Sequence, residues 1–302
     1  MTARRALLWT VVGTILCWRI PLAAQGQPGR AGAPEQREPA ATKVRIYNTV
    51  QPKLTEGKQV ICATISSPEP SAYCAVANSG FDCTWIEMQH STLTYDQVAS
   101  MVWYCQGAKA IPMIRVPDAT EGDIQKATDL GALGIIVPMV ETVEKAQAAV
   151  RFAKFPPVGR RSQGGGQHSR LWGSDYRRTA NDNLMVVVMI ESPEGVALAD
   201  QIAAVPGVDV VFVASTDLGS FSGFPATGPN RQGNPQYEAL VTRVHDATLK
   251  AGKRLGGPLN WRERPGFTFF QGPGVGQIIT AGAPIVLGTA PAQGRRAGAP
   301  IE

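Results

Sequence analysis

Leu184-Met-Val-Val-Val-Met-Ile-Glu191 and Val208-Asp-Val-Val-Phe-Val-Ala-Ser-Thr-Asp217 decide the fold of this chain. Near-continuous apolar runs of this length read as strands of a parallel sheet, buried on both faces. The segment between them, 193–205, is long enough for a crossover helix, which makes the two strands parallel. The carboxyl ends of parallel strands open onto one crevice. Glu191 and Asp217 therefore converge at a common mouth, where two hard oxygen ligands suit a divalent cation.

Working outward from this pair, strand patterns fall at 59–66, 84–89, 110–115, 133–139, 184–191, 208–215, 254–259 and 284–289, with helical periodicity between most of them. The clearest helices are 142–155, where Val143, Ala146, Val150 and Ala153 recur at helical spacing, and 237–251. Eight such alternations predict a single-domain α/β protein, a (β/α)8 TIM barrel. The segment 155–183 is long for a βα connection, and its core, Arg160-Arg-Ser-Gln-Gly-Gly-Gly166, is expected to form a functional loop. It lacks the Lys-Ser/Thr of a P-loop. The strand expected at 284–289 has no helix after it, which predicts an incompletely covered barrel.

The first 24 residues read as a signal peptide: Arg4-Arg5, an apolar stretch from Ala6 to Trp18, then Ala23-Ala24. An uncleaved membrane anchor is the alternative, although the stretch is shorter than the ~20 residues a span needs. Residues 25–52 are expected to be a flexible linker, 53–290 the barrel and 291–302 a flexible tail. The net charge of +5 owes three units to Arg4, Arg5 and Arg19 in the leader, and no basic stripe marks a nucleic-acid partner. Export to a periplasmic or secreted location permits disulfides among Cys62, Cys74, Cys83 and Cys105, in any of three pairings; buried free thiols are the alternative. Their spacing contains no C-x-x-C and argues against zinc.

Two further strand ends carry polar groups: Trp85-Ile-Glu-Met-Gln-His90 delivers His90, and Ile111-Pro-Met-Ile-Arg115 delivers Arg115. Two anions, a base and a fixed cation on one rim are the parts of metal-assisted carbanion chemistry. Plainer roles exist for each. Glu191 could cap the helix entered by Ser192-Pro193, Asp217 could form an Asx turn, His90 could be hydrogen-bonded structure, and Arg115 half of an ion pair. No lysine ends a strand at this rim, so a Schiff base is excluded.

In Ile86-Glu-Met-Gln-His90, Ile114-Arg-Val-Pro117, Asp129-Leu-Gly-Ala-Leu-Gly-Ile-Ile-Val-Pro-Met-Val140, Phe155-Pro-Pro-Val-Gly-Arg160, Ile190-Glu191 and Val205-Pro-Gly-Val-Asp-Val-Val-Phe212 running on to Asp217-Leu218, the chain resembles the class II pyruvate-dependent aldolases of the 4-hydroxy-2-oxoheptanedioate aldolase/citrate lyase superfamily. The resemblance covers about 53–290 and implies a (β/α)8 barrel that breaks a carbon–carbon bond next to pyruvate. It implies that Glu191 and Asp217 hold Mg²⁺, Mn²⁺ or Co²⁺. Arg115, Ser215, Thr216 and Asp217 would contact the 2-oxo acid, Arg115 steadying the enolate oxygen. His90, oriented by Asp129, would remove the 4-hydroxyl proton through a water. The substrates implied are 4-hydroxy-2-oxo acids, yielding pyruvate or a close 2-oxo acid and an aldehyde, in a homo-oligomer.

The chain departs from the family pattern at Glu87-Met-Gln89-His90, where Asp-x-Glu-His is common, at Met189, where glutamine is usual, and at Ala214-Ser215-Thr216, where Gly-Pro-Ala is common. It is also expected to have a missing or altered C-terminal helix. Alternative functions are a citryl- or malyl-thioester lyase of the same superfamily, for which no coenzyme A groove is evident, and a non-catalytic exported protein that binds oxo acids.

Overall fold

The computed structural model describes residues 44–224 and 233–289. The signal peptide and the tail beyond 289 lie outside the described residues. Eight parallel strands close into a barrel in sequence order: β1 (Val60–Ile65), β2 (Cys83–Glu87), β3 (Ile111–Arg115), β4 (Gly134–Val137), β5 (Met185–Ile190), β6 (Val210–Val213), β7 (Arg254–Pro258) and β8 (Phe267–Gly274). The helices are α1 (Val50–Thr55), α2 (Pro70–Ala77), α3 (Tyr95–Tyr104), α4 (Glu121–Asp129), α5 (Val143–Ala153), α6 (His168–Trp172), α7 (Tyr176–Asn183), α8 (Pro193–Ala197), α9 (Ala199–Ala203), α10 (Ser215–Phe221), α11 (Pro235–Lys250) and α12 (Val275–Val286).

β5 explains why the apolar runs are continuous. Met185, Val187 and Met189 point into the barrel, while Val186, Val188 and Ile190 pack outward under the helices. The interior is filled: Trp85 packs on Phe212 at 5.1 Å between ring centres, and Phe212 meets Phe269 edge-on at 6.5 Å. Cys62 and Cys83 are register partners on β1 and β2 and are joined by a disulfide; a second bridge ties Cys74 on α2 to Cys105 after α3.

Three expectations are corrected. The eighth strand is Phe267–Gly274, and residues 284–286 of the expected strand belong to α12, which has Pro284 in its interior. The difference has a physical reason: β7 and β8 are linked by residues 259–266 with only a single 3-10 turn, Leu259–Trp261, and no crossover helix. Eight extended residues reach roughly 26 Å, enough to run back along a five-residue strand. In place of a helix, buried Trp261 packs edge-on against Phe267 at 5.3 Å, and Arg264 lies over Trp261 while pairing with Glu238 of α11 at 2.7 Å. Second, α12 follows β8, so a C-terminal helix is present; none of its residues is buried, and Ile279, Ile285 and Val286 are exposed. Third, the linker expected to run to residue 52 ends earlier. Asn48 is buried, its amide donates to the carbonyls of Leu133 and Asn183, its side-chain oxygen accepts from Val50 and Gln51 N–H, and Val50 and Leu54 of α1 close the barrel floor.

In the long connection after α5, residues 159–166 form the expected loop, followed by α6 and α7. Arg161 within the loop is buried and bonded to Tyr176 and Asp129.

Candidate active site

At the carboxyl end of the barrel a cavity of about 270 Å³ is lined by His90, Arg115, Met189, Phe212, Ala214, Ser215, Thr216, Asp217, Pro258 and Gln271. Glu191 lies beside it, fully buried. The strand directions bring Glu191, Asp217, Arg115 and His90 to one rim, and Ser215 and Thr216 with them. Asp129 is not among them.

Glu191 does not cap the following helix. That role belongs to Ser192, whose hydroxyl accepts from Gly195 N–H at 3.2 Å, leaving the Glu191 carboxyl free to face Asp217. Asp217 lies in the first turn of α10, so its carboxylate is held by a helix and not by an isolated turn. One Glu191 oxygen accepts the N–H of Met139. Met139 has φ 52°, the sole non-glycine in the left-handed region among the described residues, and this uncommon conformation aims its N–H at the site. The other Glu191 oxygen, Oε2, is buried with no hydrogen-bond donor. Burial, opposed by the Met139 N–H and the Arg115 charge and reinforced by the Asp217 charge and by direct side-chain contact with Asp217, pushes the Glu191 carboxyl up to about 7.

Arg115 is buried, and its Nε pairs with Glu87 Oε2 at 2.6 Å. Its Nη1 points toward Met189 Sδ at 3.8 Å, on the cavity wall. Glu87 was not recognised as a site residue in the sequence, yet it organises this side. Besides Arg115 it accepts from Trp85 Nε1 at 3.2 Å and from the backbone N–H groups of Gln89 and His90 at 2.9 and 3.0 Å. It thereby fixes both the guanidinium and the turn that presents His90, which is exposed to the cavity.

Asp129, expected to orient His90, ends α4 and is hydrogen-bonded to Gln125 at 2.8 Å and Arg161 at 3.0 Å, beside His168. No hydrogen bond joins it to His90 among the described residues, so within one chain it supports the 155–183 connection. Gln271 was missed because β8 was placed elsewhere; the signal was Phe267-Thr-Phe-Phe-Gln271, an aromatic run between Gly266 and Gly272.

Among the described residues no cluster of three or more His, Cys, Asp and Glu stands ready to hold a metal. The pair Glu191 and Asp217 nevertheless fits a divalent cation: a bare buried oxygen, a second carboxylate against it, and a nearby guanidinium already engaged by Glu87. Lys154, the one buried lysine among the described residues, donates to the carbonyls of Asn181 and Leu184 at the start of β5, away from this rim.

A sequence model of the HpcH/HpaI aldolase/citrate lyase family matches residues 65–227. The chain belongs to this family. It is 38% identical to a hydroxypyruvate/pyruvate aldolase of Delftia acidovorans over 62% of this chain and 69% of that protein. It is 33% identical to a 4-hydroxy-2-oxovalerate aldolase of Rhodococcus jostii over 69% of this chain and 80% of that protein. A crystal structure of a family protein from Burkholderia cenocepacia J2315 superposes with a TM-score of 0.72 at 28% identity, covering 80% of this chain and 98% of that one.

Proposed function

We propose that this protein is a divalent-metal-dependent aldolase that cleaves 4-hydroxy-2-oxo acids to pyruvate, or a close 2-oxo acid, and an aldehyde. The observation that carries the reading is the bare, buried Oε2 of Glu191 facing Asp217 at the mouth of the barrel. The names of the two aldolases above agree with it. Glu191 and Asp217 would hold Mg²⁺, Mn²⁺ or Co²⁺, which would supply positive charge where negative charge develops on the oxo acid.

The remaining steps fall to the side chains. His90 takes the proton of the 4-hydroxyl through a water; the C3–C4 electron pair moves into C2–C3 as the aldehyde forms, and negative charge gathers on the C2 oxygen. Arg115, its Nε locked by Glu87, presents its remaining N–H groups to that oxygen without having to reorganise. A proton returned to C3 completes the product.

Two bridged cysteine pairs support an exported protein working in an oxidising compartment. The exposed apolar residues of α12 support a homo-oligomer in which another copy covers them. The function is tested by following pyruvate release from a panel of 4-hydroxy-2-oxo acids before and after chelation. Release that stops with chelator and returns with Mg²⁺, Mn²⁺ or Co²⁺ is expected; release indifferent to chelator rules out the metal role.

A further inference from the structure

Along β8 inward-facing positions alternate: Phe269 joins the barrel interior, and two residues on Gln271 reaches the cavity. Its register partners are Cys62 on β1, whose sulfur is bridged, and Pro258 on β7, which has no N–H to offer. The Gln271 carboxamide offers two donors and one acceptor oxygen, and no hydrogen bond engages it among the described residues. The same cavity is lined by apolar Phe212, Ala214, Met189 and Pro258, of which Pro258 is the register partner of Gln271. A ligand that covered this amide without pairing with it would leave a desolvated polar group, whereas a hydroxyl would satisfy it.

The position around the barrel says which part of a substrate meets Gln271. Arg115, Glu191 and Asp217 follow β3, β5 and β6, and the oxo-acid end belongs with them. Gln271 on β8 and His90 after β2 flank β1 on the other arc of the closed ring, where C4 and the carbons beyond it extend. Arg115 is the one Lys or Arg in the described lining, and it is already paired with Glu87, so the described lining offers no unpaired Lys or Arg to a second carboxylate.

We propose that Gln271 is a specificity-determining residue whose carboxamide pairs with a hydroxyl on the carbon next to the aldehyde carbonyl, so that the enzyme takes uncharged 2-hydroxyaldehydes in preference to their deoxy counterparts. The proposal rests on the aldolase reading. Sites built to hydrogen-bond a hydroxyl discriminate strongly against substrates lacking it.

The test uses the full-length, metal-loaded protein and pyruvate, with glycolaldehyde and acetaldehyde as acceptors. The quantity read is the ratio of kcat/KM for the two aldehydes, in the wild type, Gln271→Leu and Gln271→Met. A wild-type preference for glycolaldehyde that falls roughly ten- to hundredfold in both variants is expected. A purely structural role would lower both aldehydes alike and leave the ratio unchanged, which overturns the proposal, as does a wild type that prefers acetaldehyde. Exchange of the pyruvate methyl protons with D₂O, followed by NMR in the absence of any aldehyde, separates the two levels. Exchange with an unchanged ratio sinks the role of Gln271 alone; absence of exchange in the wild type sinks the aldolase reading and this proposal with it.

Discussion

Two buried glutamates share the rim of this barrel and live in opposite circumstances. Glu87, at the end of β2, accepts from Arg115, from Trp85 and from two backbone N–H groups. Glu191, beyond β5, has one backbone N–H, a bare second oxygen and Asp217 as a neighbour. Glu87 is satisfied by the chain itself, and Glu191 is left for something positive. A carboxylate fully satisfied by the chain builds the site, while one left unsatisfied at a cavity is where the ligand binds.

The comparison breaks if the two sides respond alike to mutation. Glu191→Ala or Asp217→Ala is expected to abolish Mn²⁺ binding by calorimetry and to lower pyruvate release by on the order of 10³ or more, with little loss of fold; unchanged Mn²⁺ affinity would refute the assignment. Glu87→Ala is expected to cost about 3–5 kcal/mol in denaturant unfolding, because it strands a buried guanidinium, and to slow pyruvate release by loosening Arg115 and the turn at His90. Arg115→Ala is expected to lower kcat about a hundredfold, as removal of an oxyanion donor does, and near-normal turnover would exclude that role.

The smallest effect sharpens the contrast. The Glu191 carboxyl is raised from an ordinary 4.5 to about 7 in the folded protein. A group whose folded value is raised contributes stability that is present below its unfolded value and is lost as pH climbs through the folded one. The metal-free protein should therefore lose stability relative to Glu191→Gln as the pH climbs from the unfolded value through the folded one, read as a difference in unfolding midpoints. Saturating Mn²⁺ should reverse the trend, since the cation stabilises the ionised pair; parallel pH profiles for the two metal-free proteins would contradict the stated environment of Glu191.

Much of this was legible from local pattern. β5 and β6 are continuous apolar runs with a carboxylate just past each end, and period-two burial on both faces requires such runs. β8 escaped because the chain departs from strand–helix alternation there: Trp261 and the Arg264–Glu238 pair stand where a crossover helix was expected. Asp129 was linked to His90 by resemblance, but the end of α4 directs it to Arg161 instead.

Local sequence pattern is enough to specify the barrel and its rim. Strand direction and crossover length depend on residues close in the chain, and they alone place Glu191, Asp217, Arg115 and His90 at the same end. Which carboxylate is satisfied was decided only by the tertiary structure. The partners that settle it come from afar: Arg115 reaches Glu87 across 28 positions, and Met139 reaches Glu191 across 52. Hydrogen bonding and desolvation depend on neighbours in space, and strand register and the turn at Met139 select those neighbours once the barrel has closed.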